Sequence, residues 1–202
     1  TPHKSLVAKL VGLPDDESIN TIRRGSQGWE ATSTDGKGFV RGLARMGSSL
    51  DDFDAYIFLG NGGAVRAIIR ELDNKPIRIL RRDGRRDLDF VDQRISFDEF
   101  TPVALSRALR DLGLRSLLIQ ATNAPQYGIS FSEFAPPLVG FKGAVSDLVY
   151  AKPSVLVDRV RALGLPAQDG ESMLIEQARL SQLYWWGRSA TFEDMTKFLK
   201  ST

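Results

Sequence analysis

The sequence predicts an α/β fold: a three-layer α/β/α sandwich of the flavodoxin-like kind, with a mainly parallel sheet. Two observations support this class. Apolar runs typical of strands, at 54–59, 77–80 and 114–120, alternate with segments of helical periodicity. The run 54–59 is also apolar without interruption after Asp54, as in a strand that is covered on both faces. We expect residues 1–202 to form one such domain.

The first half of the chain contains three predicted helices and three predicted strands. Thr1 and Pro2 are typical of a helix start and Gly12 of its end, and a short strand is expected at 18–22. A helix is predicted over 38–46. The strand at 54–59 ends at a glycine-rich turn, and the helix 64–72 and the strand 77–80 follow it.

The second half begins with a capping-box pattern at 96–99, followed by Thr101 and Pro102, which predict the start of a helix that ends before Gly113. The next strand is expected at 114–120. Residues 121–143 are rich in Pro, Gly, Ser and Asn and are predicted to form a long loop that could cover a site. Helices are predicted over 154–163, 171–185 and 191–199.

Composition excludes several kinds of chemistry. The 202 residues include no Cys and a single His, His3, so the chain offers no disulfide, no thiol nucleophile and no Cys/His zinc site. A net charge of +2 is too small to indicate a nucleic acid partner. No apolar run reaches the length of a membrane span, and no signal peptide is visible. We therefore expect a cytoplasmic protein without nucleic acid or membrane partners, and its oligomeric state stays open.

The candidate site follows from the sheet. Ligands of parallel sheets bind beyond the carboxyl ends of the strands, which places the segments 25–28, 60–63 and 121–127 along one edge. In the sequence Gly60-Asn61-Gly62-Gly63, backbone amides could hold a phosphate or an oxyanion. An ordinary tight turn that needs glycine would show the same residues.

One resemblance of this turn is to NADP-binding reductases. Gly60-x-Gly62 is followed by a helix and then by a strand that ends at Arg81 and Arg82, although Val65 stands in the place of the third glycine. This resemblance implies a nucleotide-binding module that uses the glycines of the turn and an arginine that meets a ribose phosphate. The ligand-binding residues would be Gly60, Gly62, Gly63, Arg81 and Arg82.

A second resemblance covers more of the chain. The segments 3–10, 24–29 and 51–61 resemble three blocks of the SGNH/GDSL hydrolase superfamily, especially its bacterial members. The resemblance implies an esterase or acyltransferase that acts on O-acyl groups, with a small-molecule or glycan ester as ligand and no cofactor. Gly28 and Asn61 would be oxyanion donors beside His3, and Gly25 and Ser26 would contact the ligand. The loops 25–28 and 60–63 should then share one cleft.

The chain departs from that superfamily at its catalytic residues. Pro2 stands where the superfamily has its nucleophilic Ser, and Trp185-Trp186-Gly187 stands in the region of its Asp-x-x-His. A hydrolase without nucleophile and base loses most of its rate. The leading hypothesis is therefore a catalytically impaired SGNH-like protein. The alternatives are the NADP-binding module and a non-enzymatic protein that binds a glycan or another protein.

Overall fold

A six-stranded parallel sheet organises the fold in the computed structural model, which describes residues 4–12, 18–82, 92–122, 131–150 and 152–201. Its strands are β3 (Ala55–Leu59), β4 (Ile77–Arg81), β5 (Ile95–Glu99), β6 (Ser116–Gln120), β7 (Ala144–Asp147) and β8 (Ala167–Gln168). They lie side by side in the order β5-β4-β3-β6-β7-β8. The α/β class predicted from the sequence, with a mainly parallel sheet between helical layers, is thus confirmed.

Helices cover both faces of this sheet. The helices are α1 (Lys4–Leu10), α2 (Asp35–Arg45), α3 (Val65–Ile69), α4 (Pro102–Leu112), α5 (Val155–Ala162), α6 (Glu171–Trp186) and α7 (Phe192–Ser201). On one face, α4 and α5 pack against Ile57 and Leu59 of β3. On the other face, α2, α3 and Met173 of α6 pack against Tyr56 and Phe58. Because both faces of β3 are covered, all five of its residues are buried, as the unbroken apolar run predicts.

A small antiparallel hairpin lies outside the main sheet. It consists of β1 (Thr21–Gly25) and β2 (Gly28–Thr32), joined by a tight turn. The hairpin is anchored to α6, where the hydroxyls of Thr21 and Ser181 lie 2.7 Å apart and are both buried. The strand predicted at 18–22 is therefore wrong in its bounds and belongs to this hairpin rather than to the main sheet.

Several other boundaries differ from the prediction for physical reasons. The capping-box pattern at 96–99 lies in strand β5, because Ile95–Glu99 pairs in parallel with β4. The helix start predicted at Thr101 and Pro102 is confirmed, and the Thr101 side chain caps the helix by accepting a hydrogen bond from the Ala104 amide. In the described part of the predicted loop 121–143, two short 3₁₀ helices lie at Ser132–Phe134 and Pro136–Leu138, which the polar composition did not predict. The predicted helix start at Thr1 and Pro2 lies outside the described residues.

Candidate functional site

The strand order creates a crevice at β3. From this strand the chain builds outward in one direction through β4 and β5, and in the other through β6, β7 and β8. The loops after β3 and β6 therefore separate, and ligands of doubly wound sheets bind where they do so. A cavity of about 430 Å³ opens there. Its walls come from five strand ends or the loops that follow them, and include Gly60, Asn61, Arg81, Arg82, Thr122 and Val149.

The glycines of the β3–α3 turn allow a very close approach of main chains. Gly60 has φ +99°, a conformation that other residues rarely adopt, and a Cβ there would overlap Cγ2 of Thr122. A Cβ on Gly62 would lie 2.6 Å from the Ala121 carbonyl oxygen. Side chains are thus excluded from this wall, and a phosphate-bearing ligand can approach the main chain of Gly62 and Gly63. The Gly60 amide itself donates to the Leu80 carbonyl at 2.7 Å.

Positive charge lies at the carboxyl end of β4. Arg81 is the last residue of β4 and Arg82 follows it, and both line the cavity. The Arg81 guanidinium carbon lies 4.2 Å from the centre of the Phe97 ring, within cation–π distance. In dinucleotide-binding folds the end of this strand meets the adenosine ribose, and an arginine there accommodates a 2′-phosphate.

A second cavity, of about 440 Å³, is lined by polar side chains. We call Asn20, Thr34, Asp35, Gln177 and Ser181 the polar cluster. The Asn20 amide nitrogen donates to Oδ1 of Asp35 at 2.7 Å and to Oγ1 of Thr34 at 2.9 Å. It also lies 3.5 Å from Oε1 of Gln177. The cluster offers one carboxylate, two carboxamides and two hydroxyls, a set suited to a ligand with several hydroxyl groups.

Two short segments hold this cluster together. The Asn20 side-chain oxygen accepts from the Thr34 amide at 3.0 Å, which ties the chain before β1 to the start of α2. Trp185 and Trp186 line the same cavity from the end of α6, and the Trp185 indole donates to the Ile22 carbonyl at 2.8 Å. The polar cavity therefore has an aromatic wall at one side.

The two cavities are neighbours in the fold. The Ser18 hydroxyl donates to the Gly63 carbonyl at 3.0 Å, so residue 18 touches the glycine turn of the first cavity. Asn20, two residues further along, belongs to the polar cluster, and two residues span at most about 7 Å. The arrangement can place a nucleotide and a small hydroxylated ligand side by side.

The predicted ligand residues are divided between two places. Gly60, Asn61, Gly62, Gly63, Arg81 and Arg82 line the first cavity together. Gly25 and Gly28 end and begin the two hairpin strands, with Ser26 in the turn between them, and none of the three lines that cavity. His3 lies outside the described residues. Within the described part of the chain, no group of three His, Cys, Asp or Glu could hold a metal ion.

The polar cluster was not predicted from the sequence. Asn20, Asp35 and Gln177 come from three separate segments, and nothing in their local patterns distinguishes them from capping or surface residues. The feature that marks the site is the burial of Asp35 at the start of α2, since aspartate usually lies at the surface. That burial becomes visible when the packing of α2 is known.

Comparison with known proteins decides between the two resemblances. A shikimate dehydrogenase (NADP(+)) of Thermosynechococcus vestitus is 31% identical over 218 residues, covering 99% of this chain and 74% of its own. The chain belongs to the shikimate dehydrogenase family. Another member, from Rhizobium meliloti, is 29% identical over 198 residues, covering 92% of this chain and 68% of its own. No known family profile matches the chain.

Solved structures of shikimate dehydrogenases share the fold. The chorismate mutase/shikimate 5-dehydrogenase fusion protein of Clostridium acetobutylicum has a TM-score of 0.75 at 23% identity, over 100% of this chain and 76% of that one. The Thermus thermophilus shikimate 5-dehydrogenase, solved in complex with NADP(H) and shikimate, has a TM-score of 0.67 at 25% identity. The latter match covers 94% of this chain and 68% of that one.

The resemblance to SGNH hydrolases is therefore wrong, and with it the expectation of an esterase or acyltransferase. The sheet order explains why. Strand β3 is the first strand along the chain of a Rossmann-like sheet and lies in its middle, so the turn after it stands where sheets of this kind bind their ligands. The hairpin turn at Gly28 belongs to a separate sheet. The predicted ester or glycan ligand is also unsupported, because related structures contain shikimate and NADP. Among the described residues, none of the helices could cross a membrane.

Proposed function

We propose that this member of the shikimate dehydrogenase family oxidises shikimate with NADP⁺ as the hydride acceptor. The observation that carries the proposal is the contact between Ser18 and Gly63, which joins a nucleotide-type cavity to a polar one. The relatives named as NADP-dependent shikimate dehydrogenases, and one solved with both ligands, support it.

The first cavity fits the dinucleotide. Gly60 and Gly62 line it at positions where a Cβ would collide with Thr122 or the Ala121 carbonyl, and Arg81 and Arg82 bring positive charge to the end of β4. The glycine turn would hold the diphosphate through backbone amides, and an arginine would bind the ribose phosphate. When bound, the cofactor supplies hydride chemistry at its nicotinamide ring.

The polar cluster fits the substrate and the proton that its oxidation releases. Asp35 is the ionisable member of the cluster, and the Asn20 amide fixes its carboxylate at 2.7 Å. We infer that this carboxylate receives the proton of the hydroxyl group that becomes a ketone, while Asn20 and Gln177 bind further hydroxyls. General base catalysis of this kind contributes roughly 10² to 10⁴-fold to a rate.

The test is reduction of NADP⁺ by the full chain with shikimate, followed at 340 nm. Asp35→Asn should lower kcat by roughly 10² to 10⁴-fold, because the amide cannot accept the proton. The Kd for NADP⁺ should stay unchanged. Asp158→Asn, at an exposed position of α5, is the matched control and should behave as the wild type. A folded wild type that does not reduce NADP⁺ when shikimate is present would disprove the proposal.

A further inference from the structure

The side chain of Gln120 holds one wall of the first cavity without lining it. Gln120 is the last residue of β6 and is fully buried. Its Oε1 accepts from the Thr122 amide, and its Nε2 donates to the Thr122 carbonyl at 3.0 Å. One carboxamide thus binds both backbone groups of a residue two positions further along, and fixes the first turn of the chain after the strand.

The position of Thr122 determines the width of the cavity. Its methyl group lies against the α-carbon of Gly60, where any side chain would overlap it. The Ala121 carbonyl approaches Gly62 in the same way. A shift of the segment 121–122 would therefore change the space beside the glycine turn, where the diphosphate of a dinucleotide would lie.

Asp147 does the same for the part of the wall that follows the neighbouring strand β7. It is the last residue of β7, is paired in register with Gln120, and is 2% exposed. Its Oδ1 accepts from the Val149 amide at 2.9 Å and from the Gln120 side chain at 3.3 Å. Val149 lines the cavity, and Asp147 does not. Two buried side chains, joined to each other, thus hold two residues of the cavity wall.

We propose that Gln120 and Asp147 are positioning residues that set the affinity of the cavity for NADP⁺ through Thr122 and Val149. The inference rests on the proposed function, because it assumes that the dinucleotide is the ligand. A purely structural role is the alternative: the pair would then satisfy buried polar groups at the strand ends, and its loss would lower stability without a specific effect on the cofactor.

The test compares Gln120→Met, which keeps the length of the side chain but removes both hydrogen bonds to Thr122, with the wild type. The Kd for NADP⁺, measured by calorimetry on the full chain, should rise about tenfold. At saturating NADP⁺, kcat and the KM for shikimate should stay within twofold. Amide hydrogen exchange should accelerate at Thr122 and stay unchanged at Leu118 within β6.

Asp147 supplies a matched pair of variants. Asp147→Asn keeps an oxygen that can accept from the Val149 amide and should bind NADP⁺ within twofold of the wild type. Asp147→Leu removes that oxygen and should bind about tenfold more weakly. Gln120→Asn, whose amide is one methylene short of Thr122, is the milder variant that decides the question if the apolar variants do not fold. It should also weaken binding.

The outcomes separate the two proposals. If the wild type binds NADP⁺ and the folded Gln120 and Asp147→Leu variants bind it equally well, the positioning role is disproved and the proposed function stands. Loss of stability with an unchanged Kd for NADP⁺ would likewise disprove the positioning role and support a purely structural one. If the wild type itself does not bind NADP⁺, both proposals are disproved.

Discussion

Gly38 of α2 lies so close to Gln177 of α6 that no side chain fits between the two helices. A Cβ on Gly38 would lie 2.9 Å from both the Cβ and the backbone nitrogen of Gln177. One turn further along α2, a Cβ on Gly42 would lie 3.2 Å from the backbone nitrogen of Met173. The absence of side chains on this face lets α6 bring Gln177 within reach of Asn20.

We predict that Gly38→Ala weakens shikimate binding. The added methyl group would push Gln177 away from the polar cluster. A misplacement of about 1 Å in a site can lower the reaction rate by up to about 10²-fold. We expect the KM for shikimate to rise about tenfold and the KM for NADP⁺ to stay unchanged, both from steady-state kinetics. Gly42→Ala is the control, because it adds a methyl group between the same two helices at Met173, which does not belong to the cluster. Equal increases in KM for both variants would contradict the prediction.

An ion triad around the buried Glu176 joins the same two helices. Glu176 is 1% exposed, and its carboxylate binds Nε of Arg45 at 3.0 Å and Nη1 of Arg179 at 2.9 Å. We predict that Glu176→Ala lowers the free energy of unfolding by about 3 kcal/mol, since two guanidinium groups lose their shared partner. Both arginines reach solvent, which keeps the loss at the lower end of the range for buried ion pairs. Urea denaturation measures it.

Glu193→Ala is the control for the triad. Glu193 lies 3.6 Å from Arg45 but is 68% exposed, and exposed ion pairs contribute little. Its removal should change the free energy of unfolding by less than about 0.5 kcal/mol. Losses of equal size in the two variants would show that burial of Glu176 is not the cause.

The sequence predicts the sheet far better than the polar cluster, for a physical reason. The strand Ala55–Leu59 and the turn after it are local features, since an unbroken apolar run and consecutive glycines reveal them without knowledge of the fold. Gly60 and Arg81 could therefore be assigned to one ligand site in advance. The cluster of Asn20, Asp35 and Gln177 depends on contacts across up to 157 positions of the chain.

Two elements show how local patterns can mislead. Ser96-Phe97-Asp98-Glu99 has the residues of a capping box, yet it pairs with β4, because parallel pairing with a buried neighbour outweighs the local preference for a helix cap. The hairpin turn at Gly25–Gly28 contains the glycines of a ligand loop, yet they serve a tight reversal between two antiparallel strands. Glycine in a turn specifies backbone geometry and does not by itself indicate a ligand.

The stability of the protein should depend on pH through Asp147. Burial raises the pKa of this carboxyl above its ordinary value, and the nearby charge of Asp169 raises it further, against hydrogen bonds from Ser154, Val149 and Gln120 that lower it. The folded state therefore binds a proton more tightly than the unfolded state. The stability that Asp147 contributes is complete below the ordinary aspartate pKa and is lost as the pH rises through the folded-state pKa.

Asp147→Asn removes this titration and tests the sign. Relative to the variant, the wild type should lose stability as the pH rises above the ordinary aspartate pKa of about 4, as measured by urea denaturation of both proteins at each pH. Other carboxyl groups titrate in both proteins and cancel in the difference. A difference that stays constant, or that changes in favour of the wild type, would contradict the burial of a carboxyl with a raised pKa.

The choice of cofactor should depend on Arg81 and Arg82. A 2′-phosphate distinguishes NADP⁺ from NAD⁺, and hydrogen bonds from charged groups to a phosphate contribute about 1.5 to 3 kcal/mol each, or roughly 10 to 150-fold in affinity. We expect Arg81→Ala with Arg82→Ala to raise the KM for NADP⁺ at least tenfold and to leave the KM for NAD⁺ within twofold. Arg78→Ala is the matched control from the same strand, because Arg78 binds Asp98 at 3.2 Å and does not line the cavity. An equal loss for both cofactors in the double variant would mean that the arginines support the fold of the site and do not recognise the phosphate.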